Sequence, residues 1–305
     1  MLAIGAPGKS TGQGATYIYS QANGAWTQQA ELIASDGAAG DQFGRFISMD
    51  TLGVRLAVGA PNKTIGANAN QGSAYVFIKS GSVWTQETNL YMSAGAANDY
   101  FGISVCLSAS GNLLAVGSNG SYSAQGSVNT FILVNGAWKH QTEIKSLNGV
   151  AGDQFGYSVV LDYSGTVMLV NAYRKTIGAN TYQGAVYRFV QSGGVWTQQA
   201  ELTSTDGAAS DYYGLGLGIS SDGSTIAIGA PWKAVGANNI QGAVYTYTLS
   251  KAWAQTTELI AADGAAGDYF GTWVSMSRDG STVATGAGHK TVNGNLNQGA
   301  IYVAK

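Results

Sequence analysis

A chain of 305 residues with one cysteine, Cys106, has no internal disulfide framework to staple it. Its two histidines, His140 and His289, make neither a His-x-x-x-His pair nor a Cys/His cluster for a transition metal. Charge is scarce as well. Only 10% of residues are Asp, Glu, Lys or Arg and the net charge is −2, which excludes the basic patch of a nucleic-acid binder and an acidic disordered arm. There is no long apolar run to suggest membrane insertion and no basic-then-apolar leader to suggest a signal peptide. Met1 opens directly on Leu2-Ala3-Ile4-Gly5-Ala6-Pro7, in mid-repeat, so the expectation is a trimmed or incompletely represented chain whose missing leader says little about compartment. Three prolines against forty-four glycines, without a Gly-x-y period, fit short strands joined by tight turns.

What the chain does have is repetition. An aromatic-Gly step stands at Phe43, Phe101, Phe155, Tyr213 and Phe270. A Gly-Ala-Pro position follows each one 16 residues later, at Gly59, Gly117, Asn171, Gly229 and Gly286. Gln-Gly recurs at Gln13, Gln71, Gln125, Gln183, Gln241 and Gln298, and a tryptophan at Trp26, Trp84, Trp138, Trp196 and Trp253 always precedes the next aromatic-Gly step by 17. A period of about 57 residues predicts a repeat architecture, and hence one domain over residues 1–305 that starts and ends in mid-repeat.

Each repeat resolves into four segments with strand character. Ile103-Ser104-Val105-Cys106-Leu107 alternates apolar with small residues, and Thr225-Ile226-Ala227-Ile228 is an apolar run too short for a helix. Ala74-Tyr75-Val76-Phe77-Ile78 is aromatic and β-branched, and Trp84-Thr85-Gln86-Glu87 alternates again. Four antiparallel strands make one blade of a β-propeller, so the predicted class is all-β. Cys106, on the inner strand, is expected to be a small buried side chain rather than a reactive thiol.

The motifs Asp41-Gln42-Phe43-Gly44, Ala57-Val58-Gly59-Ala60-Pro61 and Gln183-Gly184-Ala185-Val186-Tyr187 resemble the FG-GAP repeat of the integrin α-subunit β-propeller and its bacterial and viral relatives. Calcium-binding members of that family carry Asp-x-Asp/Asn-x-Asp-Gly-x-x-Asp in the hairpin between first and second strands, where several oxygens converge on the ion. Here the hairpins are Asp222-Gly223, Asp279-Gly280 and Ser164-Gly165, and the fixed spacing of 16 leaves no room for that loop. Neither metal nor other cofactor is expected.

Residues that recur in every copy are assigned to structure. Asp41, Asp99, Asp153, Asp211 and Asp268 are read as turn residues accepting backbone N–H bonds, the Gln-Gly glutamines as satisfying loop backbone, and the tryptophans as blade packing. No unique acid/base pair stands out, so the chain is read as not an enzyme. The loop between second and third strands varies, with 12 residues from Gly59 to Gln71 but 8 from Gly5 to Gln13 and from Gly117 to Gln125. Positions that differ among these loops are the candidate contacts for a partner: Tyr173, Arg174, Trp232 and His289, with Lys63 and Lys233 from a recurring basic set.

Six Gln-Gly copies, each with its own second and third strands, predict six blades, with five and seven as alternatives. The resemblance implies a recognition or adhesion module, extracellular or on a particle surface, that binds a protein or glycan through its long loops. The alternative is a structural subunit of a capsid, appendage or surface layer, with possible self-assembly in a larger particle.

Overall fold

The second segment of each repeat is apolar on both faces, and in the four middle repeats it becomes an inner, almost wholly buried strand of a small sheet. The computed structural model describes residues 1–250 and 252–305. Six antiparallel sheets follow one another: β1 (Leu2–Ala6), β2 (Ala15–Ala22) and β3 (Ala25–Leu32); then β4 (Ile47–Met49), β5 (Arg55–Ala60), β6 (Ser73–Ser80) and β7 (Val83–Leu90). The third comprises β8 (Ser104–Leu107), β9 (Leu113–Ser118), β10 (Ser127–Val134) and β11 (Ala137–Ile144). The fourth comprises β12 (Phe155–Leu161), β13 (Val167–Ala172), β14 (Ala185–Ser192) and β15 (Val195–Leu202). The fifth is β16 (Leu217–Ile219), β17 (Thr225–Ala230), β18 (Ala243–Leu249) and β19 (Trp253–Leu259), and the sixth β20 (Phe270–Met276), β21 (Val283–Ala287) and β22 (Ala300–Ala304). The fold is a six-bladed β-propeller, with three strands in the first and last blades and four in the others.

Within a blade, burial falls from the centre to the outer edge. β9 and β13 are buried at every residue, whereas β15 alternates exposed and half-buried positions before ending on a buried Leu202. The tryptophan-bearing outer strand carries a bulge at the same place in each blade that has one: Val76 pairs with Thr88 but Phe77 with Gln86, and Arg188 pairs with Ala200 but Phe189 with Gln198. Such a bulge twists an outer edge and blunts it against further pairing. Cys106 is half-buried rather than buried.

The chain forms two compact units, one of Met1–Lys145 with Phe155–Val159, the other of Ser146–Gln154 with Val160–Lys305. In the first, Ile18 of one blade packs with Phe43, Leu56, Val58, Tyr75 and Phe77 of the next, so apolar flanks are buried between neighbouring blades. In the second, Leu169 and Val186 pack likewise against Tyr213, Ile226, Ile228 and Tyr245. The aromatic of the aromatic-Gly step is the plug. Phe43 is wholly buried, with its ring edge-on to Tyr75 at 5.4 Å and to Phe77 at 5.8 Å.

Close backbone approach between neighbouring blades accounts for the glycine at most Gly-Ala-Pro positions, and at the Gln-Gly and aromatic-Gly steps a positive φ adds to it, as at Gly72 (87°) and Gly102 (90°). A Cβ on Gly59 would lie 2.0 Å from the carbonyl oxygen of Gly102 in the next blade, and one on Gly72 would lie 2.1 Å from that of Phe101. Aromatic-Gly, Gly-Ala-Pro and Gln-Gly therefore meet where Gly5, Gly59, Gly117 and Gly229 face the next aromatic-Gly step, and backbones touch there with no room for a side chain. Asn171 is the exception at the Gly-Ala-Pro position, and its Nδ2 donates to the Gly214 carbonyl at 3.0 Å.

Candidate functional site

The aspartates fold their own turns, as their recurrence implies. Asp41 Oδ2 accepts the N–H of Ala38 at 2.8 Å, and Asp99, Asp153, Asp211 and Asp268 accept the N–H three residues upstream in the same way. Gln71 Nε2 donates to the Met92 carbonyl at 2.6 Å, and Gln13, Gln183 and Gln241 donate to the matching carbonyls or one nearby.

The recurring lysines lie inside the blades. Lys63 is 6% exposed; its Nζ donates to the Asp36 carbonyl at 2.7 Å and lies 3.3 Å from both Asp36 Oδ2 and Asp41 Oδ2. The Tyr75 hydroxyl donates to Asp36 Oδ1 at 2.7 Å. Lys233 is 8% exposed, 2.6 Å from Asp206 Oδ2, with Tyr245 donating to Asp206 Oδ1 at 2.8 Å. Lys175 and Lys290 complete equivalent clusters with Asp153 and Asp268. Each lysine thus latches the incoming loop to its blade, and Lys63 and Lys233, expected at the partner surface, are committed to that work. Burial opposes ionisation of Asp206, but the Lys233 ammonium and Tyr245 hydroxyl outweigh it and hold the carboxyl below its usual range. Burial pushes Asp211 up.

The other four candidates are brought together. Tyr173, Trp232 and His289 stand on the long loops of the second unit, and two residues that link them come from the incoming loops. The Tyr212 ring lies 5.8 Å from Tyr173 and 4.6 Å from Trp232; Tyr269 lies 5.9 Å from Trp232 and 4.6 Å from His289. Tyr182 stacks on Tyr212 at 6.0 Å, and the Arg174 guanidinium lies 5.5 Å from Tyr173 and 5.9 Å from Tyr182. The result is a continuous aromatic strip on which Trp232, Tyr182, Arg174 and His289 are exposed. It is held from beneath by backbone bonds between loops: Tyr212 N–H to Tyr182 carbonyl at 3.1 Å and Tyr269 N–H to Ile240 carbonyl at 3.2 Å. The Tyr173 hydroxyl donates to Gln154. Tyr212 and Tyr269 adopt φ of 52° and 59°, a left-handed turn shared by Gln42, Tyr100 and Gln154 at the same position.

The sequence reading missed Tyr182, Tyr212 and Tyr269. For the latter two a signal was available: they stand where Gln42 and Gln154 stand, so they differ among copies, the criterion that selected Trp232.

The hairpins do not fit a calcium ion. Asp222 Oδ1 accepts the Ser220 hydroxyl at 2.6 Å and the Ser224 N–H at 3.0 Å, and the Ser224 hydroxyl reaches both carboxylate oxygens at 2.8 Å. Among the described residues no group of three or more His, Cys, Asp or Glu is placed to hold a metal ion. The same contacts lower the Asp222 carboxyl to about 2, Ser220 contributing most and Ser224 next. A carboxyl depressed in the folded state contributes stability above its unfolded value and loses it as pH falls through the folded one. Asp222→Asn is therefore expected to flatten the acid limb of stability between about pH 4 and pH 2 and to weaken stability at pH 7, as read by urea denaturation across that range.

Comparison with known proteins agrees with the repeat boundaries. The family described as FG-GAP repeat matches residues 26–77, 84–131, 138–189, 196–247 and 253–304. No curated protein matches. Among solved structures, TolB from Acinetobacter baumannii is similar in fold, with a TM-score of 0.52 at 14% identity over 99% of this chain. The match takes in 59% of that TolB chain, so the chain spans less than two thirds of its length.

Proposed function

Since the chain belongs to the FG-GAP repeat family, whose blades are scaffolds for loops, we propose that it is a non-enzymatic recognition or adhesion module. It works outside the cell or on a particle surface and binds a protein or glycan through the strip of Tyr173, Tyr212, Trp232, Tyr269 and His289 with Arg174. The observation that carries the proposal is the contiguity of five rings, with Trp232 40% exposed and an exposed guanidinium at one end. Aromatic faces give large contact area with little side-chain entropy to lose, and both sugar rings and protein side chains stack on them. The loop carboxylates, by contrast, are engaged by backbone N–H groups and lysines, which supports binding over acid/base chemistry.

Screening against immobilised oligosaccharides and extracellular-matrix proteins, followed by titration of the binders found, tests the proposal. Trp232→Ala is expected to weaken binding by about 2 kcal/mol, roughly thirtyfold, while stability stays within about 1 kcal/mol. Binding that survives the Trp232→Ala, Tyr212→Ala double substitution overturns it.

One observation favours the alternative of a structural subunit in a capsid, appendage or surface layer. Strand β22 leaves Ile301 80% and Val303 65% exposed, an apolar edge suited to packing against another subunit. Light scattering separates the two: a monomer with its aromatic strip free supports recognition, and ordered assembly at micromolar concentration supports the structural role.

A further inference from the structure

The third blade has lost its lysine latch, and not by one substitution. At the position of Lys63 stands Ser121, at that of Asp36 stands Ala94, and at that of Tyr75 stands Asn129. Each replacement is smaller, while the turn aspartate is kept as Asp99. The short loop here folds as a single turn, Ser121–Ala124, as does Lys9–Gly12 in the first blade, instead of the longer hairpin of the other four copies; but the first blade keeps its lysine, Lys9, and the third does not. Where the latch would be there is a cavity of about 270 Å³, walled by Ala94, Asp99, Ser121, Tyr122, Asn129 and Glu143.

The polar groups left in that cavity are mismatched to one another in an instructive way. Asp99 is half-buried and is held at one oxygen by the Ala96 N–H at 2.7 Å. Four sister aspartates are fully buried beneath their own blade's lysine. Asn129 is 1% exposed; its Oδ1 lies 3.0 Å from His140 Nε2, but its Nδ2 has no partner. A buried donor left unmade destabilises a protein by about 1–3 kcal/mol, so an acceptor brought by a ligand would be well received. At the rim, Tyr122 donates to Glu143 Oε2 at 2.8 Å, and Lys145 Nζ sits 3.1 Å from the Tyr122 ring centroid, which leaves the lysine outside the cavity.

We propose that this cavity binds a protonated primary amine with a hydroxyl on the adjoining carbon, the chemistry shared by amino alcohols and amino sugars. The ammonium takes the place that a lysine Nζ fills in the other blades, between the Asp99 carboxylate and the loop carbonyl at Ala94, and the hydroxyl oxygen accepts from Asn129 Nδ2. The site lies in the first unit and does not depend on the aromatic strip, so either reading can fail without the other.

The probes are glucosamine and ethanolamine, with N-acetylglucosamine and ethylene glycol as partners that lack the charge. Titration of the ¹⁵N-labelled protein followed by NMR is expected to move the amides of Ala96, Asp99 and Ser121 with both amines, at a Kd of about 1 mM or tighter. The uncharged partners bind at least tenfold more weakly. Glucosamine alone binding assigns the site to amino sugars, and ethanolamine binding as tightly assigns it to the amino alcohol unit common to both. Ser121→Lys, which returns the sister blades' ammonium, is expected to abolish the shifts. Should that variant not fold, the comparison of charged and uncharged probes on the wild-type protein still decides. Equal binding of N-acetylglucosamine, no movement of these amides with either amine, or unchanged binding in folded Ser121→Lys overturns the proposal.

Discussion

Gly59→Ala is expected to lower stability by about 3 kcal/mol, while Gly286→Ala, at the same place in the repeat, leaves it within about 0.5 kcal/mol. The two substitutions add the same methyl group to the same strand position. They differ in what it meets. At Gly59 the new Cβ would fall 2.0 Å from the Gly102 carbonyl oxygen, a backbone atom that cannot rotate away, so two blades must separate. At Gly286 the nearest atom is Trp273 Cδ1 at 4.0 Å, an ordinary contact. Loss of glycine also stiffens the unfolded chain, which favours folding by about 0.4–1 kcal/mol and sets the small net effect at Gly286. Urea denaturation of both variants provides the check, with a melting temperature about 6 °C or more lower for Gly59→Ala. Equal effects at the two sites would rule out blade contact as the reason for the glycine.

Lys63→Met is expected to cost about 3–5 kcal/mol, because it leaves the Asp41 carboxylate buried without its counter-charge. The geometry makes this a removal of one partner from a buried pair rather than a surface ion-pair loss: Lys63 and Asp41 side chains are 8% and 6% exposed and 3.3 Å apart. Lys63→Met combined with Asp41→Asn should be less damaging than the sum of the two, since the second substitution discards the stranded charge. The third blade is a natural version of this outcome, with Ser121 in place of lysine and Asp99 no longer fully buried. A folded Lys63→Met of wild-type stability that failed to bind a partner would return Lys63 to the recognition surface.

Much of the fold could be read from spacing, and the junction geometry explains why. Positions such as Phe43, Gly59 and Gln71 are fixed by a different marker in the neighbouring repeat: the Phe43 N–H donates to the Gln13 carbonyl, Gly59 faces the Gly102 carbonyl, and the Gln71 carbonyl accepts the Phe101 N–H. The hairpin at Asp222-Gly223 was equally legible, since glycine there takes φ of 68°. What the sequence did not reveal was direction. Lys63 and Lys233 carry charge and sit on loops, and their charge suggested a surface position; their burial depends on oxygens gathered from a loop some twenty residues earlier, three at Lys63 and two at Lys233. Their recurrence, which correctly sent the aspartates to structure, was the better guide. The reverse holds for Tyr212 and Tyr269. Each neighbours the aromatic of the aromatic-Gly step and looks like part of that plug, yet one residue along a left-handed turn places it on the outer strip beside Trp232.

The glycine that meets a carbonyl oxygen has one more consequence. A carbonyl is the same in every amino acid, so this one contact between adjacent copies does not depend on which side chains either copy carries, whereas the apolar flanks must still match. A gene segment encoding one repeat could be duplicated or swapped with a sister segment, and the new neighbours would find the same backbone seat, with only the apolar flanks left to adjust. The even spacing of the copies along this chain, and the freedom of their loops to differ, both fit a seat made by an absent methyl group.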